Sequence, residues 1–223
     1  LEWSWQWFID PGRELPLVVL REVELEQMPT ELPQYEPLEA QRLVDGTYLM
    51  TAREKQTLWL WGLSAAHQPR GEPKSYSGGV PTRPCFSQDG ADWWLLSSRR
   101  VEQSHQLGAA KLSGAAPELP AEIARLQLQG LGASLAEPGL VRVGDHRWMS
   151  VHTGGHHDGQ LRIVNVDEKL QPKGPAFLVS DPDETVHTSR LTALENGELL
   201  VVYIQNGAPG ADLVSKRLTC WVR

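Results

Sequence analysis

The chain has 223 residues, of which 20 are Gly and 16 are Pro, and its formal net charge is −7. This density of turn residues excludes a helical bundle, and a hydrophobic content of 40% with nine Trp excludes wholesale disorder. Cys85 and Cys220 are too few for a disulfide framework, and the apolar runs are too short to span a membrane. The composition therefore predicts one turn-rich all-β domain or two small ones.

The net charge is confined to the first 40 residues. Nine acidic and two basic side chains lie in residues 1–40, whereas residues 41–223 contain 19 of each sign. We interpret residues 1–40 as an acidic strand or strap segment, which is either a solvated edge or a docking strap for a basic partner. Since the chain has no basic field to bind phosphates, nucleic acid is excluded as a partner.

The acidic segment has strand patterns of its own. Trp3, Trp5 and Trp7 alternate with polar residues, which predicts a strand with three indoles on one face. Residues 15–25 predict a second strand. Residues 27–39 contain three Pro, which predicts an extended connector rather than a helix.

From residue 41 onward, one pattern recurs four times: a short apolar stretch, a turn, and a strongly apolar strand. The turns are centred on Asp45-Gly46, Asp89-Gly90, Asp145-His146 and Asn196-Gly197. Asp-Gly and Asn-Gly favour tight hairpins because both residues accept positive φ. The turns are 44, 56 and 51 residues apart, and a period near 50 predicts the blades of a β-propeller.

The last two units show how the ring would close. The third has four strand patterns and the fourth has three, at 190–194, 199–205 and 214–222. We therefore predict an all-β propeller of four or five blades, in which the N-terminal strand completes the last blade. The domain division is 1–40 for the acidic segment and 41–223 for the propeller repeats. A β-sandwich or barrel with similar hairpins is the alternative.

The repeat also resembles a known class of protein. Residues 41–223 resemble bacterial β-propeller repeat proteins, most clearly through the hairpin of residues 189–203. Residues 86–93 are similar to the Asp-box turn of sialidase-type propellers, although Asp92 stands where Thr is usual. The resemblance implies a blade architecture and no particular activity.

Two His-containing segments are the strongest candidates for a binding site. Residues 151–159 lie between the second and third strands of the third unit, and residues 186–188 lie just before the fourth unit. In a propeller both kinds of loop emerge at one face, here called the top face. The predicted ligand-binding residues on this face are Arg99, Arg100, His152, His156, His157, Asp158 and His187. Of these, His152, His156 and His187 have the chemistry of a divalent metal site.

The sequence contains no complete catalytic motif. We therefore expect a noncatalytic binding or assembly module for a protein partner, with enzymatic activity left undecided. The alternative is a carbohydrate-binding lectin or a glycoside-acting enzyme that uses the top-face loops. No cofactor is expected apart from the metal alternative, and no membrane insertion is expected. The unpaired cysteines and the lack of a signal-peptide pattern favour a cytoplasmic location.

Overall fold

The structure is a computed structural model that describes residues 36–82, 84–114, 117–132, 134–154, 159–207 and 210–219. These residues form 16 β-strands and no helix, so this part of the chain has no helix that could cross a membrane. The described strands all belong to the unit that runs from Gln34 to Arg223. The predicted N-terminal strand and its closure of the last blade lie outside the described residues.

The first two sheets are antiparallel meanders. The first contains β1 (Glu36–Arg42), β2 (Tyr48–Glu54), β3 (Thr57–Leu63) and β4 (Lys74–Tyr76). The second contains β5 (Val80–Pro81), β6 (Cys85–Asp89), β7 (Asp92–Val101), β8 (Ser104–Leu112) and β9 (Ala124–Leu126). Because β5 and β6 both pair with β7, they are two halves of one interrupted inner strand.

The next two sheets repeat the same plan. The third contains β10 (Leu135–Val143), β11 (His146–Thr153), β12 (Gln160–Val166) and β13 (Phe177–Leu178). The fourth contains β14 (Thr185–Ala193), β15 (Leu199–Gly207) and β16 (Gly210–Leu218). Four successive meanders, the last with three strands among the described residues, are the blades that the repeat predicts.

The inner hairpins follow the predicted turn chemistry. Gly46, Gly90 and Gly197 have φ values of 82°, 69° and 83°, the left-handed region in which Gly costs least. The third hairpin differs from the prediction, because Val143 pairs with His146 and the positive φ of 57° falls on Gly144. The turn therefore lies one residue earlier than Asp145-His146, since Gly accepts that conformation more readily than His.

The hydrophobic core lies between successive sheets. Neighbouring residues of a strand point to opposite faces, so Leu95 packs toward the first sheet and Leu96 toward the third. A further cluster joins the third and fourth sheets, with Leu161 on one side and Tyr203 on the other. The inner sheets are buried on both faces, which explains the continuous apolar run around Leu95 and Leu96.

The start of the first sheet differs from its prediction. The predicted connector of residues 27–39 overlaps β1, which begins at Glu36, and Pro37 lies opposite Ala52 of β2. A Pro is tolerated there because β1 is an edge strand, where one backbone N–H needs no ladder partner.

Gly139 gives a test of the packing between the inner strands. A Cβ atom at this position would lie 2.7 Å from Ser150 Oγ and 3.5 Å from Leu191 Cβ. Because both neighbours belong to packed strands, Gly139→Ala should lower the free energy of unfolding by about 1–3 kcal/mol. Urea titration measures the change. Gly174→Ala is the control, since no atom lies within 4 Å of its added Cβ. Equal urea midpoints for the two variants would contradict the described packing.

Candidate functional site

The inner strands share an irregularity near their first residues. The pairing register shifts between Pro37 and Glu39 in β1, between Ala136 and Gly139 in β10, and between Val186 and Thr188 in β14. In the second sheet the inner strand is interrupted after β5, before Cys85. Since a β-bulge turns a side chain away from the regular alternation, these positions can present groups that the faces of the sheets do not.

Glu137 occupies the bulge of β10. Its φ is 46°, in the left-handed region that is unfavourable for any residue other than Gly, and the residue is only 4% exposed. Its backbone N–H donates to Ser98 Oγ at 3.3 Å. A buried carboxyl group and a strained backbone each carry a free-energy cost, and such residues concentrate at functional sites.

The second sheet holds the backbone of Glu137 in place. The N–H of Thr82 donates to the carbonyl oxygen of Ser98 at 2.8 Å, and the Thr82 hydroxyl donates to the same oxygen at 3.0 Å. The Thr82 and Ser98 hydroxyl groups are also hydrogen-bonded to each other. Ser98 therefore links the interrupted inner strand of the second sheet to the bulge that carries Glu137.

Groups from all four sheets meet at Cys85. Glu39 of β1 and Arg190 of β14 form an ion pair, with Oε2 and Nη2 3.5 Å apart, and both charges act on the thiol. The backbone of Leu140 in β10 also acts on the thiol, whose Sγ donates to the Phe86 carbonyl oxygen at 3.6 Å. Burial, reinforced by the charge of Glu39, raises the pKa of the Cys85 thiol to about 11. The four inner strands therefore converge on a common region, where Glu39 adds a carboxylate.

His152 joins the third sheet to the fourth. The residue is fully buried in β11, and its Nε2 lies 2.9 Å from Ser189 Oγ in β14. His187 occupies the bulge of β14. The N–H of Val186 donates to the carbonyl oxygen of Gly159 at 3.0 Å, so the two predicted His-containing segments are adjacent.

Only part of the predicted metal site belongs to the residues that the structure describes. His156, His157 and Asp158 lie outside the described residues. Among the residues that the structure describes, no group of three or more His, Cys, Asp or Glu side chains could hold a metal ion. The metal set of His152, His156 and His187 therefore stays a prediction.

Arg99 and Arg100 lie in a strand, whereas the sequence predicted them in a loop on the top face. Both belong to β7, which extends to Val101 because β8 pairs with it up to that residue, and β5 pairs with Arg99 and Arg100 from the other side. Arg99 Nη1 donates to the Ser77 carbonyl oxygen at 2.9 Å. Arg100 is exposed and lines a depression of about 420 Å³ on the second sheet.

Sequence reasoning missed Glu137. It belongs to no turn or motif pattern, unlike Asp45, Asp89 and Asp145, which are explained by the hairpin turns. The usable signal was an acidic residue followed by Pro138 just before the first predicted strand of the third unit, since Pro marks bulges and strand edges.

No protein-family model matches this chain, and no curated protein matches it. Several solved structures are similar to it in fold. A thermostable family-43 glycoside hydrolase has a TM-score of 0.54 and 15% identity, over 83% of this chain and 71% of that chain. An endo-arabinase from Bacteroides thetaiotaomicron has a TM-score of 0.54 and 9% identity, over 84% of this chain and 75% of that chain. A sialidase from Streptococcus pneumoniae has a TM-score of 0.56 and 10% identity, over 82% of this chain but only 31% of its own.

These similarities confirm the predicted all-β propeller. The expectation of a noncatalytic module for a protein partner is wrong, because the matched propellers are a glycoside hydrolase, an arabinase and a sialidase. The matches give the protein partner no support. The expectation rested on the absence of a catalytic motif, and at 15% identity or less a shared fold leaves no motif that the sequence alone would reveal.

Proposed function

We propose that this chain is a glycoside-acting enzyme in which the carboxyl group of Glu137 exchanges a proton with the glycosidic oxygen. The observation that carries the proposal is the placement of Glu137: a buried carboxyl group at a strained bulge of an inner strand. The similarity to glycoside-acting propellers supports the choice of reaction.

Glycoside hydrolysis generally uses two carboxyl groups on opposite sides of the scissile bond. The described inner strands offer four. Asp89 lies at a hairpin turn, where its Oδ2 accepts from Arg147 Nε at 2.7 Å. Glu36 is largely exposed and accepts from Arg53 Nε at 3.0 Å. The two that remain are Glu137 and Glu39.

The proposed reaction divides the proton transfers between these two groups. The carboxyl group of Glu137 donates its proton to the glycosidic oxygen as the bond to the anomeric carbon breaks. A water molecule then adds to the anomeric carbon and loses a proton to the carboxylate of Glu39. Arg190, 3.5 Å from Glu39, supplies the charge that positions this second carboxylate.

A substrate screen tests the proposal. The purified full-length chain is incubated with 4-nitrophenyl arabinofuranoside, xyloside and sialoside, and with the matching oligosaccharides. We expect release of nitrophenol or shortening of the oligosaccharide in at least one series. If an oligosaccharide binds but no substrate of any series is cleaved, the chain is a lectin and not an enzyme, and the proposal is rejected.

A further inference from the structure

A groove lined by four leucines and by several polar side chains lies on the second sheet beside the start of β10, outside the site described so far. Its volume is about 370 Å³, which is in the range of small-molecule binding sites. The polar lining comes from Gln106 of β8 and from Arg125, Gln127 and Gln129, which belong to β9 and the segment after it.

Exposed and buried side chains alternate strictly along residues 125–129, which form one wall of the groove. Leu126 and Leu128 are buried in the cluster between the second and third sheets, whereas Arg125, Gln127 and Gln129 are exposed. An extended backbone places alternate side chains on opposite faces, so the polar side chains share the solvent side. The two leucines therefore pack this segment against the core, and the two glutamine side chains are exposed to a ligand.

The chemistry of the lining indicates an uncharged, hydroxyl-rich ligand. Each Gln amide has two donor hydrogens and an acceptor oxygen, which match the mixed donor and acceptor character of sugar hydroxyl groups. Arg125 is the only Lys, Arg, Asp or Glu side chain among the described residues of the lining, which is too little charge to select an anionic ligand.

The groove adjoins the strand that carries Glu137. Leu135 belongs to the lining and precedes Glu137 by two residues on β10. The neighbouring Ser134 accepts from the His105 N–H at 3.1 Å through its hydroxyl oxygen. Its carbonyl oxygen accepts from the Gly154 N–H at 3.1 Å, where the loop after β11 begins.

We propose that this groove binds a neutral oligosaccharide segment that extends from the bond held at Glu137. The inference rests on the proposed function, because it is the glycoside at Glu137 that brings an oligosaccharide to this position. The groove makes the chain prefer longer over shorter oligosaccharides.

Isothermal titration calorimetry tests this length preference. Arabino- and xylo-oligosaccharides of two and six units are titrated into a full-length Glu137→Gln background, which prevents consumption of the ligand. The affinity ratio of six to two units should fall about tenfold when Gln127→Ala and Gln129→Ala are added, since two hydrogen-bonding amides are lost. Gln171→Ala, another exposed glutamine, is the matched control and should leave the ratio unchanged.

The outcomes separate this inference from the proposed function. A ratio that is equal in the double variant and the control, or no oligosaccharide binding by the chain, overturns the groove. So does binding of extended peptides in place of oligosaccharides. Cleavage by the unaltered chain with an unaffected ratio rejects the groove and keeps the enzyme. A reduced ratio without any cleavage keeps the groove and rejects the enzyme.

Discussion

Glu137→Gln is expected to lower kcat on glycosides with poor leaving groups by about 10²–10⁴-fold, the range contributed by one general acid. The substitution keeps the size and the hydrogen-bonding shape of the side chain but removes the transferable proton. The hydrogen bond to Ser98 comes from the backbone N–H of residue 137, so the substitution leaves that contact at the bulge in place. Steady-state kinetics on alkyl glycosides measures the loss.

Leaving-group dependence separates a proton donor from a structural residue. The 2,4-dinitrophenolate leaving group needs no protonation, so Glu137→Gln should retain most of the activity on a 2,4-dinitrophenyl glycoside. Glu195→Gln is the control, because Glu195 is exposed beside the hairpin turn between β14 and β15. Equal losses on both substrates would show that Glu137 supports the fold and does not transfer the proton.

Leu96→Ala is expected to have the largest effect on stability, a loss of about 2–5 kcal/mol in the free energy of unfolding. Leu96 has 0% exposure and packs between the second and third sheets with Met149. Truncation removes buried apolar surface and leaves a cavity that two opposed sheets cannot easily close. Urea denaturation followed by tryptophan fluorescence measures the change.

Leu213→Ala is the matched control for this prediction. The same side-chain atoms are removed, but Leu213 lies on the outermost described strand of the fourth sheet and is 50% exposed. Its variant should lie within about 0.5 kcal/mol of the unaltered chain, as is usual for surface substitutions. A similar loss at both positions would contradict the assignment of the core to the interfaces between sheets.

The fold could be predicted because its signals are local. Asp-Gly and Asn-Gly turns specify hairpins through the backbone freedom of two residues, and Gly46 and Gly197 have the positive φ that such turns require. Their regular spacing then indicated a repeated meander. The third turn lies one residue earlier than the pattern predicts, because Gly144 and not His146 takes the positive φ.

The candidate site could not be predicted in the same way. Glu137 acquires its position from a register shift between β10 and β11, and from Ser98 of another sheet. Arg99 lies in β7 and not in a loop because Gln106 of β8 pairs with it on one side and Pro81 of the distant β5 pairs with it on the other. Such long-range pairings leave no periodic trace in the sequence.

Chromatographic analysis of oligosaccharides incubated with the chain tests the central claim most directly. Arabino- and xylo-oligosaccharides are incubated with the unaltered protein, with Glu195→Gln and with Glu137→Gln, and the products are followed over time. The account predicts that the first two proteins shorten the same oligosaccharide at similar rates and that Glu137→Gln does not. Cleavage by all three proteins at equal rates, or by none of them, would contradict it.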